Sequence, residues 1–396
     1  MLFSITMMLI CTVIPLVHIA VALWPKKEKE KMAFVNDRHA FSLLIPCYNE
    51  AGILLTTIKG LQQFSNYETQ VILINDGSTD HTMAWLTKHL ELALLDEYRI
   101  ARIHHKPIRG VYQSMLLENV IVIDKQNGGK ADSLNAGLAY CAHDLVVTLD
   151  ADSILQKDAL QHCSNAFQQA DVVAGGGTVK ILQGSTKFHK KNTSPLNILV
   201  QSQIMEYIKG FFILKSSLSR MNAMLVISGA FGVFRKSLLE ELDGFRQTIG
   251  EDIDLTIRIQ QYLMKHPEKK MICIPDAICY TECPETWGDV FKQRIRWQKA
   301  FVDSVIKYHQ FLLAHCFRRS FAFFVIMDAI IAGTFSTYFT MVAILTALLW
   351  PGANQAWLLT YVVLSTITTF VYNILAIHQS KKGTAYTLAE CKQFLS

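Results

Sequence analysis

The chain has 396 residues, 51% of them hydrophobic and 18% charged, with a net charge of +5 at pH 7. This length allows one large domain or two ordinary ones. Because the net charge is small and the chain has no arginine-rich arm, no nucleic-acid partner is expected. Its nine cysteines include no C-x-x-C pair, which indicates reduced thiols in a cytosol-facing domain rather than a zinc or disulfide site.

Three long apolar stretches predict membrane-spanning helices. The first, residues 2–24, is long enough to cross a hydrocarbon core of roughly 30 Å. A secretory signal peptide is the alternative, although it would need a basic start and a clear cleavage site. The other stretches are 321–350 and 356–377. Asp328, within the second stretch, is expected either to face protein, water or a partner, or to lie at headgroup level.

The lysines beside these stretches predict the orientation of the chain. Lysines occur at 26–31, after the first stretch, and at 381–382, after the third. Lysines flanking a span mark the cytoplasmic side, and three spans place both groups on that side. We therefore expect a multi-pass protein of the inner (plasma) membrane, organised as a span at 1–25, a cytoplasmic catalytic domain at 40–285, an interfacial amphipathic region at 286–320, two spans within 321–380 and a cytoplasmic tail at 381–396.

The central part of the chain alternates buried strand patterns with helical patterns. Apolar runs at 41–46, 71–76 and 144–150 read as strands covered on both faces. This pattern predicts an α/β fold with a mostly parallel sheet. Ligands bind such sheets at the carboxyl ends of the strands. Polar residues stand at those ends: Asn49, Asp76, Asp150 and Asp152.

Two acidic clusters have both a chemical and a structural interpretation. Asp150 and Asp152 form a D-x-D pair after a strand, which suits Mg²⁺ or Mn²⁺ bridging to a diphosphate. The alternative is a helix-capping turn in which Asp152 serves partly as the cap. Asp76 would accept hydrogen bonds from a nucleobase or ribose, or else form an N-cap or Asx-turn.

Two further clusters precede predicted helices. Lys130 follows Gly128 and Gly129, where its ammonium and the helix N-terminus suit a phosphate, unless it is an ordinary surface turn lysine. At Glu251 and Asp252, one carboxylate could take the proton of an attacking hydroxyl. The alternative is that both only interact with the helix dipole.

The run QRIRW, residues 293–297, lies on an amphipathic pattern suited to a membrane surface. Arg294 and Arg296 could hold diphosphate oxygens, and Trp297 could stack on a sugar ring. The alternative is an interfacial helix with snorkelling arginines and aromatic residues at the headgroup level. The two interpretations are compatible.

Seven motifs in this order resemble family 2 membrane-embedded processive β-glycosyltransferases: LLIPCYNE, INDGSTD, NGGKADSLNAG, TLDADS, SGAFGVF, GEDIDLT and QRIRW. The resemblance covers roughly residues 40–300 and is greatest to bacterial poly-N-acetylglucosamine synthases, with cellulose, chitin and hyaluronan synthases more distant. It implies a GT-A nucleotide-sugar fold. It also implies inversion at the anomeric carbon in a single displacement, without a covalent nucleophile.

The resemblance also implies roles for individual residues. Asp76 would contact uridine, Lys130 the uridine or its phosphates, and Asp150 the UDP. Asp152 would bind the metal, and Asp252 would be the general base. The remaining expected site residues are Pro46, Asn49 and Glu50 for the nucleotide sugar, and Glu251, Gln293, Arg294, Arg296 and Trp297 for the diphosphate and the acceptor.

The expected reaction is transfer of N-acetylglucosamine from a UDP-sugar to a growing β-linked glycan. Alternatives are transfer of a single sugar to a lipid-linked acceptor, and a non-catalytic nucleotide-binding scaffold in the membrane. The motif GEDIDLT reads GED where many relatives have TED, but Asp252 is retained. Three spans are few for a polymer channel, which implies a homo-oligomer or an export partner, a short product, or a truncated chain.

Overall fold

The computed structural model of the chain describes residues 2–24, 39–54, 58, 60, 69–95, 102–184, 197–335, 338, 341, 344–345, 349 and 355–382. The lysine run at 26–31 and the predicted tail beyond residue 382 lie outside the described residues. The chain divides into two compact units. The sheet unit comprises 29–204 and 226–304, and the helical unit comprises 1–28, 205–225 and 305–396.

The strands belong to a single sheet. They are β1 Phe41–Cys47, β2 Thr69–Asn75, β3 Leu92–Leu94, β4 Ile108–Ser114, β5 Val120–Lys125, β6 Leu145–Leu149, β7 Ile154–Leu155, β8 Val172–Ile181, β9 Phe231–Arg235 and β10 Lys270–Thr281. Their order across the sheet is β3-β4-β5-β2-β1-β6-β9-β8-β10-β7.

The α-helices are α1 Leu2–Leu23, α2 Thr82–Leu90, α3 Lys130–Ala139, α4 Ala159–Phe167, α5 Ile198–Lys209, α6 Ser216–Arg220, α7 Lys236–Glu241, α8 Glu251–Lys265, α9 Trp287–His315, α10 Ser320–Phe324 and α11 Gln355–Lys382. Leu182–Gly184 forms a 3₁₀ turn. Among the described residues, two segments are π-helical, Gly210–Lys215 and Val325–Phe335.

The centre of the sheet is parallel, as the apolar runs predict. Strands β5, β2, β1 and β6 are neighbours and run in the same direction. Leu43, Leu44 and Ile45 of β1 are fully buried, and burying one such side chain contributes roughly 1.5–3 kcal/mol to folding. The sheet as a whole is mixed, because β9 pairs antiparallel with both β6 and β8.

The register brings the polar strand ends to one edge of the sheet. Cys47, the last residue of β1, pairs with Asn75, the last residue of β2. On the other side of β1, Leu44 pairs with Thr148, one residue before the end of β6. The loops that begin at Tyr48, Asp76 and Asp150 therefore leave the sheet at the same edge.

A buried polar contact joins three segments of the helical unit. His18 of α1 is 2% exposed, and its Nδ1 lies 2.5 Å from Ser217 Oγ in α6. Its Nε2 lies 3.2 Å from Asp328 Oδ2 in the second π-helical segment. Asp328 thus faces protein, the first of the two positions expected for it.

None of the helices in the described residues has both the length and the apolar character required for a membrane span. The three predicted spans are therefore not confirmed.

Candidate active site

Asn49 links the loop after β1 to the loop after β2 through hydrogen bonds. Its Oδ1 accepts hydrogen bonds from the backbone N–H groups of Thr79, at 2.8 Å, and Asp80, at 3.3 Å. The Asn49 N–H in turn donates to Ser78 Oγ at 3.0 Å. Asn49 has φ of 58°, a left-handed conformation that asparagine tolerates better than most residues. Asn49 therefore shapes this edge through contacts with protein.

Asp76 is buried and holds a glycine turn. The N–H of Gly128 donates to Asp76 Oδ1 at 2.9 Å, and the N–H of Gly129 donates to Oδ2 at 2.7 Å. Gly129 has φ of 87° and directly precedes α3. The N-cap alternative for Asp76 is wrong, because α2 begins only at Thr82 with His81 at the N-cap.

Lys130, the first residue of α3, connects two acidic segments. Its Nζ donates to Asp150 Oδ1 at 2.5 Å and lies 3.1 Å from Glu251 Oε1. The side chains of Lys130 and Asp150 are still 31% and 37% exposed. Burial lowers the pKa of the Lys130 ammonium, but the charges of Asp150 and Glu251 outweigh it and raise that pKa above its ordinary value. Lys130 is therefore a fixed cation at the opening of the site.

Gly229 lies next to the side chains of Lys130, Glu251 and Asp252. Its N–H donates to Asp252 Oδ2 at 3.2 Å, and its carbonyl accepts from Lys130 Nζ at 3.3 Å. A Cβ at this position would lie 2.9 Å from Lys130 Nζ. It would also lie 3.3 Å from a Glu251 oxygen and 3.4 Å from an Asp252 oxygen. We call this group the Lys130 cluster; it comprises Lys130, Asp150, Glu251, Asp252 and Gly229. Its charged side chains pack around Gly229, which has no side chain.

Asp152 lies beside Asp150 of the Lys130 cluster, and its carboxyl group has a raised pKa. Thr281 Oγ1 donates to its Oδ1 at 3.2 Å. Burial and the neighbouring charge of Asp150 raise the pKa of Asp152 from 3.8 to about 6. Burial and the charges of Asp152 and Asp150 also raise the pKa of Glu50. Negative charge is therefore in excess here, as expected of a site that receives a cation.

The helix-cap alternative for Asp152 is wrong. The residues after it form the short strand β7, which pairs antiparallel with β10 through Ile154 and Tyr280. The next helix begins only at Ala159. Asp152 is therefore held at the sheet edge by a strand that the local sequence did not predict.

Glu251 and Asp252 occupy the first turn of α8, with Gly250 at the N-cap. Both carboxylates therefore interact favourably with the helix dipole, as the structural alternative proposes. The same placement directs Glu251 towards Lys130 and Asp252 towards the Gly229 amide. The dipole contact and a chemical role are compatible here.

The QRIRW residues lie on α9, which packs near the Lys130 cluster. Ala300 of α9 is buried, and its Cβ would lie 2.6 Å from a Cβ at Gly250. Arg294 stacks on Trp297, with its guanidinium carbon 4.4 Å from the ring centroid. Gln293 is half-buried, and Arg296 and Trp297 are exposed. Pro46, in contrast, is part of strand β1 and pairs with Ile74.

Sequence reasoning did not assign roles to three residues that shape the site: Lys125, Gly229 and Thr281. Gly229 stands in the motif SGAFGVF, so its signal was a glycine just before a buried strand. Thr281 and Lys125 end strands, and each has a carboxylate partner from a distant segment of the chain, Asp152 and Asp76 respectively.

Two family profiles match this chain. The profile "Glycosyl transferase family 2" matches residues 42–243, and the profile "Glycosyl transferase family group 2" matches residues 145–379. The chain belongs to glycosyl transferase family 2. This confirms the predicted enzyme class.

Curated proteins are similar to much of this family 2 chain. Poly-beta-1,6-N-acetyl-D-glucosamine synthase of Staphylococcus aureus (strain MSSA476) is 29% identical over 268 residues, which are 66% of this chain and 55% of the relative. The Staphylococcus epidermidis synthase of the same name is 28% identical over 282 residues, 68% of this chain and 58% of the relative. The chain thus spans little more than half the length of these relatives.

A solved structure shares the fold of this family 2 chain. Mannosyltransferase PcManGT from Pyrobaculum calidifontis, in complex with GDP-Man and Mn²⁺, superposes with a TM-score of 0.63 at 18% identity. The match covers 95% of this chain and 97% of that one. The predicted GT-A fold is therefore confirmed.

Proposed function

We propose that this family 2 enzyme transfers N-acetylglucosamine from UDP-N-acetylglucosamine to a growing β-linked glycan, with inversion at the anomeric carbon. The observation that carries the proposal is the Lys130 cluster, where a cation on the donor side and two carboxylates on the acceptor side meet at Gly229. The similarity to two poly-beta-1,6-N-acetyl-D-glucosamine synthases supports the choice of sugar.

The loops at the ends of β1, β2 and β6 form the donor side. We assign the nucleoside to Asp76, Asn49 and Pro46. The Asp76 oxygens already accept hydrogen bonds from the N–H groups of Gly128 and Gly129. A carboxylate oxygen can, however, accept more than one hydrogen bond. Lys130 and Asp150 border the diphosphate. As the leaving group gains charge, the Lys130 ammonium stabilises it by an interaction that strengthens towards the transition state.

Asp252 provides the acid–base chemistry. The acceptor hydroxyl gives its proton to the Asp252 carboxylate while its oxygen bonds to the anomeric carbon. The bond from that carbon to the diphosphate oxygen breaks in the same step, and its electron pair leaves with UDP. One displacement inverts the anomeric centre. Glu251 and the α9 residues Gln293, Arg294, Arg296 and Trp297 form the acceptor and diphosphate wall.

The residues at this edge fit a divalent cation, Mg²⁺ or Mn²⁺. The charges of Asp150 and Asp152 oppose each other, which raises the pKa of Asp152, and a cation would remove that penalty. Within the described residues, no group of three or more acidic, histidine or cysteine side chains could hold a metal by itself. A cation would be held by Asp152 with Asp150 together with ligands from outside the protein, as is usual for Mg²⁺. It would supply charge neutralisation to the leaving group.

Metal binding should weaken in mild acid. Asp152 binds a cation only when ionised, and its pKa of about 6 means that protons compete below that pH. The Mn²⁺ concentration for half-saturation should rise about tenfold per pH unit below 6. Titration calorimetry with Mn²⁺ and UDP at about pH 5 and about pH 7.5 measures this. Equal affinities at the two values, or an unchanged pH dependence in Asp152→Asn, would contradict the assignment.

The raised pKa of Asp152 affects folding in the opposite direction: mild acid weakens metal binding but stabilises the folded protein. The native protein holds the Asp152 proton more tightly than the unfolded chain does. The stability that this contributes is present below the ordinary value of 3.8 and is lost as the pH rises through about 6.

A donor panel tests the proposed function. Purified full-length protein is incubated with Mn²⁺ and, separately, UDP-N-acetylglucosamine, UDP-glucose, UDP-galactose and GDP-mannose. GDP-mannose is included because PcManGT was solved with GDP-Man. We expect UDP release with UDP-N-acetylglucosamine and a ladder of β-linked products. A single-sugar product on a lipid would instead favour the lipid-acceptor reaction, and release from GDP-mannose alone would refute the donor.

We further propose that the enzyme is bound to the plasma (inner) membrane, with the sheet unit in the cytoplasm. Apolar side chains of the helical unit support this: Leu9, Val13 and Leu16 on α1, and Ile367, Phe370 and Ile374 on α11, are exposed. Carbonate-washed membranes should retain the protein, and detergent should release it. Recovery in the soluble fraction without detergent would refute the proposal.

A further inference from the structure

Lys125 is a fully buried lysine outside the Lys130 cluster. It ends β5, and its side chain is 0% exposed. Its Nζ lies 2.7 Å from Asp76 Oδ1, 2.6 Å from Asp132 Oδ1 and 2.6 Å from the carbonyl oxygen of Gln126. An ammonium has three N–H donors, so these three acceptors match its full donor capacity. A buried charge is tolerated only when it is paired and hydrogen-bonded in this way.

The charges around Lys125 do not cancel by themselves. One ammonium faces two carboxylates, those of Asp76 and Asp132. The remaining negative charge is stabilised by backbone N–H groups. Gly128 and Gly129 donate to Asp76, and the N–H of Lys106 donates to Asp132 at 3.0 Å. Lys125 is therefore the only charged partner in the described contacts that the two carboxylates share.

These contacts lie at the turn from which α3 begins. Asp76 follows β2 and holds both glycine amides of the turn, whereas Asp132 lies in the first turn of α3. Lys125 ties the two carboxylates together across the turn that connects β5 to α3. Lys130 is the first residue of α3, and its ammonium donates a hydrogen bond to Asp150 Oδ1.

We propose that Lys125 is a positioning residue for the donor diphosphate: by binding Asp76 and Asp132 together, it sets the glycine turn that places the Lys130 ammonium. Lys125 touches no reacting atom in this assignment and acts through Lys130. The inference rests on the proposed donor site. In addition, Lys125 keeps the Lys130 ammonium in place on the phosphate side of the site before the donor binds.

The test compares Lys125→Met with a matched control, Arg235→Met, in full-length protein. Arg235 also ends a strand, and it donates to the carbonyls of Val172, Phe167 and Gln169. It pairs with Leu145, at the start of β6, whereas the candidate site lies at the end of that strand. Arg235→Met therefore removes a part-buried cation without touching the turn.

We expect Lys125→Met to raise the donor KM roughly 10- to 100-fold, the usual effect of losing a charge-assisted hydrogen bond, while the acceptor KM stays within about threefold. Hydrogen exchange should become faster in a peptide containing Gly128 and Gly129. Arg235→Met should lower the melting temperature and leave both KM values and this exchange unchanged.

The opposite pattern would overturn the inference. If Lys125→Met lowers the melting temperature but leaves the donor KM and the turn exchange unchanged, Lys125 has a structural role only. If Lys125→Met does not fold, Asp132→Ala takes its place, because it removes the oxygens through which Lys125 contacts α3 while Asp76 keeps its cation. It should raise the donor KM and turn exchange, and unchanged values refute the inference. If the wild-type enzyme uses a different donor in the panel, the proposed sugar is refuted. Hydrogen exchange at Gly128 and Gly129 would still test the role of Lys125.

Discussion

Replacing Asp252 with asparagine is expected to abolish sugar transfer while UDP binding is retained. The Gly229 N–H donates to Asp252 Oδ2 at 3.2 Å. Asparagine keeps an oxygen that can accept this hydrogen bond, so the local structure should persist. It cannot take a proton, and the loss of a general base costs about 10²- to 10⁴-fold in rate. Steady-state kinetics with UDP calorimetry separate the two effects, because kcat should fall and the UDP affinity should stay.

The control for this variant is Asp276→Asn, an exposed carboxylate on β10. It loses the same charge without a contact in the Lys130 cluster and should keep wild-type kinetics. Full activity in Asp252→Asn would refute the base assignment. The next carboxylate to test would be Glu251, which faces Lys130 from the preceding position.

Lys130→Met is expected to raise the donor KM and lower kcat together. The substitution leaves Asp150 and Glu251 without the cation that now lies 2.5 Å and 3.1 Å from them. These carboxylates would then repel an incoming diphosphate, and the transition state would lose a charged donor. Removing one charge-assisted contact corresponds to roughly 10- to 100-fold, and a loss in both constants points to a transition-state contact.

A closely matched control is available in the same unit. Lys270 Nζ lies 2.8 Å from Asp171, with side-chain exposures of 33% and 42%, close to those of Lys130 and Asp150. It begins β10, whereas Thr281, which contacts Asp152, ends that strand. Lys270→Met should leave the kinetics unchanged. If both lysine variants have equal kinetics, Lys130 makes no specific contribution to the donor site.

Sequence predicted the central strands and the edge of the sheet that carries the polar residues. Continuous apolar runs are read locally, and parallel strands place their carboxyl ends together without further information. The glycines before Lys130 and the acidic start of α8 were also local signals. The motif order was sufficient to predict the family, which the family profiles then confirmed.

Contacts between distant segments were not predictable in this way. Asp152 was compatible with a helix cap until β7 paired with β10, since short strands have little local signal. The burial of Lys125 depends on Asp76, which is distant in sequence, as well as on Asp132 of the following helix. Gly229 could be recognised only as a small residue, because its neighbours come from α3 and α8.

The contacts of α1 bear on the design of a shortened protein for crystallisation. A deletion of residues 2–24 would remove the imidazole of His18 from between Ser217 and Asp328. It would also remove the carbonyls of Val21 and Trp24, which accept hydrogen bonds from Arg220. A buried polar group left without its partner costs about 1–3 kcal/mol. Such a fragment should therefore also replace Asp328 with an apolar residue, whereas Arg220 is exposed and can be hydrated.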